Sequence, residues 1–382
     1  MRQPVRRGEL LAAQHGVNRC AWFITIATVG LITAASAPLG AHDVKPAARL
    51  DALKRAQVWS PGDVSAKDMI AGPERKDGFT SGDTISCKYV GKKMTGRSPK
   101  FTCVIPPDDE VKVKYGRDNG EVYGEVAATR LLWALGFGAD AMYPVKVLCH
   151  DCPQRLGGTP HNGRLDEILF DPVAVERKAH GHDVVSRKSE GWSWAELDQV
   201  SEAAGGAPLA HRDALKLIAA FIQHTDSKPS QQRLVCLDKE WNGETPCQQP
   251  FMLINDLGMT FGRSNAFNRS SKGSVNFEEW SQTPIWKEKS GCVANLSGSL
   301  SGTLEDPRIS EDGRAFLAGL LAQLTDRQID DMFQTARFYL RPRQPGASET
   351  ASATVAEWRE AFKSKRDEVA GRRCDLPPTT RR

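Results

Sequence analysis

The stretch His224-Thr225-Asp226-Ser227-Lys228-Pro229-Ser230-Gln231-Gln232-Arg233-Leu234-Val235 decides how this chain is read. It follows a strongly periodic helix expected over residues 213–223, with Leu215, Ile218, Ala219 and Ile222 on one stripe, and it ends in a short apolar run. After a cysteine-flanked insertion comes Phe251-Met252-Leu253-Ile254-Asn255-Asp256-Leu257-Gly258, an apolar strand ending in an Asp two residues before a Gly. Phosphoryl transfer requires parts of this kind. One carboxylate orients an acceptor hydroxyl, a second holds a divalent metal against nucleotide phosphates, and a basic side chain steadies those phosphates. Upstream, Val111-Lys112-Val113-Lys114-Tyr115 alternates as a strand with both lysines on one face, and a helix expected over 121–135 offers Glu121 and Glu125 to orient a lysine. Taken singly, an Asp after a helix is a cap or turn residue, and lysines on an alternating strand are a solvated face. The order of the parts is what favours chemistry.

In that order the motifs resemble the protein-kinase-like superfamily. His224-Thr225-Asp226-Ser227-Lys228-Pro229 is similar to the catalytic loop H-R-D-x-K-P, and Asn255-Asp256-Leu257-Gly258 stands where kinases have D-F-G. Residues 124–137, Gly-Glu-Val-Ala-Ala-Thr-Arg-Leu-Leu-Trp-Ala-Leu-Gly-Phe, resemble the αC segment of the secreted kinases of the animal secretory pathway. The metal motif of those kinases, H-L-D-N-G-x-x-F-G, is echoed by Ile254-Asn255-Asp256-Leu257-Gly258-Met259-Thr260-Phe261-Gly262. Phosphatidylinositol kinases and HipA-like kinases are more distant relatives of the same kind. The resemblance spans roughly residues 85–340 through four short motifs. It implies an α+β, two-lobed, protein-kinase-like fold with a small β-rich N-lobe holding one helix and a larger, mainly helical C-lobe. It also implies Asp226 as catalytic Asp, Lys228 on the transferred phosphate, and Asp256 as metal ligand. Lys114 would hold nucleotide phosphates, with Lys112 as competitor, and Glu125 would pair with the lysine. Gln231 or Gln232 stands where kinases keep a metal-binding Asn, a departure that bears on metal geometry. The implied cofactors are ATP or another nucleoside triphosphate with Mg²⁺ or Mn²⁺. The hairpin at 91–96 would cover the phosphates, although it lacks G-x-G-x-x-G.

Of 382 residues, 40% are apolar, 26% charged and 7% aromatic, an ordinary globular composition that excludes collagen-like and wholly disordered readings. The net charge of +4 is concentrated at the start, where Arg2, Arg6, Arg7 and Arg19 face only Glu9. The nearly neutral remainder gives no sign of a nucleic-acid partner. Residues 21–37 are uncharged and mostly apolar, between a basic stretch and a run of small residues, which is the layout of an export signal over 1–41. Leu39-Gly40-Ala41 offers a cleavage site; left uncleaved, the segment would tether the chain to a membrane as a short anchor. No other stretch is long and apolar enough to span one. The expected location is therefore extracytoplasmic, periplasmic or secreted.

An oxidising compartment makes disulfides the expectation for the eight cysteines beyond residue 42, although eight cysteines allow about 105 connectivities. Cys149-His150-Asp151-Cys152 reads as a structural bridge, with metal binding or thiol redox chemistry as the alternative, and Cys236 and Cys247 read as a local staple. The tryptophans at 192, 194, 280, 286 and 358 read as packing anchors. The histidines share no metal-ligand spacing, with His180 and His182 expected as an exposed loop pair. Neither GxSxG, HExxH nor a Ser–His–Asp arrangement is legible.

The expected organisation is a signal (1–41), an N-terminal extension (42–80), a β-rich lobe (81–150) and a helical lobe (151–382). Three functions compete. The first is an exported phosphotransferase acting on an acceptor of unknown class, whether protein, lipid or small molecule. The second is a catalytically weak or inactive pseudokinase, a disulfide-stabilised binding module. The third is a disulfide-stapled interaction protein whose motifs are accidental.

Overall fold

The computed structural model describes residues 41–94, 96, 98–153, 156, 164–186, 190–263, 274–288, 291–296, 302–343 and 351–374. The expected signal lies outside them except for its last residue, as do the glycine- and proline-rich connector expected at 157–163 and residues 344–350 of a linker-like segment expected at 342–353.

Five strands close into a barrel: β2 (Thr84–Val90), β3 (Lys100–Ile105), β4 (Asp109–Tyr115), β5 (Ala141–Pro153) and β6 (Arg164–Arg177), in the order β2-β3-β4-β6-β5. Parallel pairing of β2 with β5 shuts the ring. Alternation builds its interior, since Phe101, Cys103, Val111, Val113, Tyr143, Val145, Val173 and Val175 are all buried in one cluster. The intervening residues Lys112 and Lys114 therefore sit on the other face of β4, beneath the helix α2 (Glu121–Ala134).

This corrects the expected boundary at 150. β6 lies beyond it yet pairs with β5 from Ala141↔Arg177 to Pro153↔Arg164, so the barrel runs to residue 177. The glycine- and proline-rich connector looks like a domain border, but it only joins two arms of a long hairpin.

The remaining sheet has the order β1-β7-β8-β9, from β1 (Ala41–Asp43), β7 (His182–Val185), β8 (Gln232–Cys236) and β9 (Pro250–Ile254). Around it lie α1 (Pro46–Arg55), α3 (Leu209–Phe221), α4 (Phe277–Gln282), α5 (Glu311–Leu321), α6 (Asp326–Thr335) and α7 (Val355–Gly371). The fold is thus mixed α+β, and the region after 150 carries more strand than expected. Residues 42–80 are less an extension than part of this larger core, with Leu53, Ala56, Val58, Val64 and Met69 buried in it. Leu53, Val58, Val64 and Met69 each contribute on the order of 1.5–3 kcal/mol of burial.

Helix starts follow local chemistry. Thr325 with Gln328 and Thr354 with Glu357 form reciprocal capping boxes at α6 and α7. The α3 stripe of Leu215, Ile218, Ala219 and Ile222 is wholly buried, as are all five tryptophans singled out above. His182 is half-buried at the start of β7 rather than exposed in a loop, and its Nε2 donates to the Lys239 carbonyl at 3.0 Å.

Four cysteine pairs stand at bonding distance: Cys87–Cys103, Cys149–Cys152, Cys236–Cys247 and Cys292–Cys374. The last closes a separation of 82 residues and ties the C-terminal helix to the body, worth about 4–5 kcal/mol on chain entropy. Cys236 and Cys247 also stand near the Asp238 carboxylate, but sulfurs joined to each other are not available to a metal. No helix among the described residues is long and apolar enough to cross a membrane.

Candidate functional site

Lys114 is the centre of the site. It is fully buried, and its Nζ lies 2.8 Å from Glu125 Oε2, 2.9 Å from Glu121 Oε2 and 3.4 Å from Asp256 Oδ1. The lysine comes from β4, the glutamates from successive turns of α2, and the aspartate from the end of β9, so three separate parts of the chain meet on one ammonium. A four-residue spacing puts Glu121 and Glu125 on the same helix face.

The α2 helix reaches Asp256 because residue 258 is glycine. A Cβ placed at Gly258 would stand 2.6 Å from Glu121 Cγ, closer than any side chain tolerates. Gly258 also donates its backbone N–H to Asp256 Oδ1 at 3.2 Å. The glycine of the Asp256-Leu257-Gly258 motif therefore fixes both the helix and the carboxylate.

The charges settle one another unequally. Burial works against the Lys114 ammonium, but Asp256, Glu121 and Glu125 overcome it and hold its pKa well above the ordinary lysine value. Burial would raise Asp256 too, yet Lys114 and then Lys112 hold it well below the usual carboxylate range. Glu125 is pushed up to about 8 by burial against the pull of Lys114. Its Oε1 is buried with no hydrogen-bond partner among the described residues. Between Glu125 and Asp256, Glu125 more readily takes a proton.

Lys112 belongs to a different pair. Its Nζ meets Glu176 Oε2 on β6, which raises its pKa against the cost of burial. Sequence reasoning missed Glu176, because nothing before the barrel closed placed β6 beside β4.

The second acidic residue is organised by its own loop. After α3 the chain turns through Gln223 at φ 53°, then through His224, whose ring is fully buried. Both ring nitrogens of His224 lack a hydrogen-bond partner among the described residues, and burial pushes its pKa down to about 4. Asp226 follows. Lys228 Nζ donates to both its carboxylate oxygens at 2.9 Å, and Gln231 Nε2 donates to Oδ2 at 2.8 Å. Ser227, fully buried, anchors the loop by accepting from the backbone N–H groups of Thr303 and Leu304 at 3.2 Å.

Two backbone hydrogen bonds join this loop to the Asp256 segment: Thr225 N–H to the Met259 carbonyl at 3.1 Å, and Asn255 N–H to the Gln231 carbonyl at 2.9 Å. The expected residues thus fall into two linked groups: Lys114, Glu125 and Asp256, and Asp226, Lys228 and Gln231. Gln232, the alternative to Gln231, instead donates to the Ser227 carbonyl at 3.0 Å from a buried position. The hairpin at 91–96 does join β2 to β3, although Thr95 and Arg97 lie outside the described residues.

Asp256 Oδ2 and the Gln231 side-chain carbonyl make no hydrogen bond among the described residues, and Asp256 is held ionised.

No protein-family model and no curated protein matches the chain. Among solved structures, the chain is similar to the proinflammatory kinase CtkA of Helicobacter pylori, at 12% identity and a TM-score of 0.36, covering 76% of this chain and 94% of that one. An apo pseudokinase aligns at 11% identity and a TM-score of 0.21, covering 80% of this chain and 99% of its own. At such scores neither likeness assigns an activity.

Proposed function

We propose that the chain is an exported, two-lobed, kinase-like phosphotransferase, which passes a nucleotide phosphate to an acceptor with Mg²⁺ or Mn²⁺. The observation that carries this reading is the fully buried Lys114 held between Glu125 of α2 and Asp256 after β9. A buried lysine among three carboxylates, two from α2 and one from the segment after β9, is costly to assemble without a task. In this reading Asp256 and the Gln231 carbonyl would hold the metal, and the chemistry it would supply is neutralisation of phosphate charge. Asp226 accepts the proton of the acceptor hydroxyl, and Lys228, released from Asp226, meets the transferred phosphate. Lys114 and Lys112 bring positive charge to the nucleotide side. The export-like N-terminus and the four cysteine pairs support action outside the cytoplasm.

The test is a thermal shift of the full chain with nucleoside triphosphates and Mg²⁺ or Mn²⁺, followed by turnover of labelled ATP. We expect stabilisation by nucleotide with metal, lost in Asp256→Ala, and turnover falling about 10²–10⁴-fold in Asp226→Asn. No shift with any nucleotide and either metal would sink the reading.

A second reading is favoured by one observation. Both oxygens of Asp226 are engaged by Lys228 and Gln231, and a glutamine stands at the metal position. A pseudokinase-like binding module would show the nucleotide shift without turnover.

A further inference from the structure

Three lysines stand on the face of the barrel turned toward Asp256, and their charges are met differently. Lys112 has Glu176, and Lys114 has three carboxylates. Lys100, on β3, has none.

Its position is set by the ladder. Lys100 pairs directly with Lys114 across β3 and β4, so the two side chains leave the same face of the sheet. Lys100 is half-buried, and its side chain makes no ion pair or hydrogen bond among the described residues. Burial, then the neighbouring Lys114 charge, lowers its pKa, while Glu121 and Asp256 pull the other way. Lys100 thus feels the same carboxylates as Lys114 without touching them. Its Nζ also lies against the hairpin, since a Cβ at Gly96 would stand 3.0 Å from it. Gly96 has φ 83°, a left-handed conformation that glycine adopts freely, and it leaves the ammonium uncovered on that side.

We propose that Lys100 is a second phosphate-binding residue, which holds the oligophosphate of a bound nucleotide between the 91–96 hairpin and the Lys114–Asp256 pair. This rests on the phosphotransferase reading. A half-buried ammonium beside another ammonium is an electrostatic deficit that a polyanion removes. Lys114 shares its charge with three carboxylates, so a second cation beside it adds to what an oligophosphate meets there. The compact, strongly hydrated lysine head suits a phosphate oxygen as a point-charge partner.

The experiment titrates the full chain with inorganic tripolyphosphate, with ATP plus Mg²⁺, and with adenosine, by calorimetry, in wild type, Lys100→Met and Lys100→Arg. In Lys100→Met we expect affinity for tripolyphosphate and ATP to fall about tenfold or more, with adenosine affinity unchanged, as for loss of a charged hydrogen bond. Lys100→Arg keeps the charge and should stay within about threefold of wild type. Wild-type affinity for ATP and tripolyphosphate in Lys100→Met would overturn the proposal and leave the phosphotransferase reading standing. So would an equal loss of adenosine binding, which marks general damage. A wild-type chain that binds none of the three would overturn the phosphotransferase reading, and the role of Lys100 with it.

Discussion

Asp256 and Asp226 are both acidic residues of short loops, yet they are held in opposite ways. Asp256 is held from afar, by Lys114 on β4, 142 positions earlier in the chain, and its charge is shared with two glutamates of α2. Asp226 is held locally, by Lys228 and Gln231 two and five residues along its own loop. Long-range partners in a buried place make the first site a structural keystone. Local partners near solvent leave the second able to exchange them.

The comparison breaks first on stability. Lys114→Met would leave three carboxylates together without their cation, and we expect a loss of about 3–5 kcal/mol in denaturant unfolding. Lys228→Met removes the corresponding cation at Asp226, where the lysine side chain is 41% exposed, and should cost about 1 kcal/mol or less. Similar losses in the two variants would erase the distinction.

The pH profile sharpens it. Glu125 is pushed up to about 8 by burial, so between its ordinary range and pH 8 the folded chain binds a proton that the unfolded chain does not. Its contribution to stability therefore falls as pH rises toward 8, and Glu125→Gln should flatten that limb of the melting curve. His224 acts with the opposite sign. Burial pushes it down to about 4, so below its ordinary pKa the unfolded chain binds the extra proton and stability falls as pH drops from 6.5 toward 4. His224→Leu should melt higher than wild type at pH 5 and lose this dependence. An unchanged acid limb would mean that another group governs it.

The smallest effect belongs to Gln231. Shortening it to Asn moves its carbonyl back by one methylene and should change Mn²⁺ affinity, measured by calorimetry with nucleotide present, by about tenfold or less. A complete loss would make Gln231 the main metal ligand in place of Asp256.

Much of the site was legible in the chain. Strand alternation put Lys112 and Lys114 on one face, and helical spacing put Glu121 with Glu125. The apolar run 251–254 delivered Asp256 to the end of a strand, while the close approach of α2 that Gly258 permits emerged only from the structure. The local readings rest on periodicities of two and 3.6 residues, which one segment expresses by itself.

What the sequence could not supply were contacts between segments. The pairing of Lys112 with Glu176 depends on β6 folding back across a connector that looked like a boundary. The position of Lys100 opposite Lys114 depends on the β3–β4 register, which one residue of slip would invert. The sequence by itself determined which residue types stand on which local face. Only the tertiary structure decided which charges meet, because burial and distance, which set the strength of a charge pair, belong to the assembled chain.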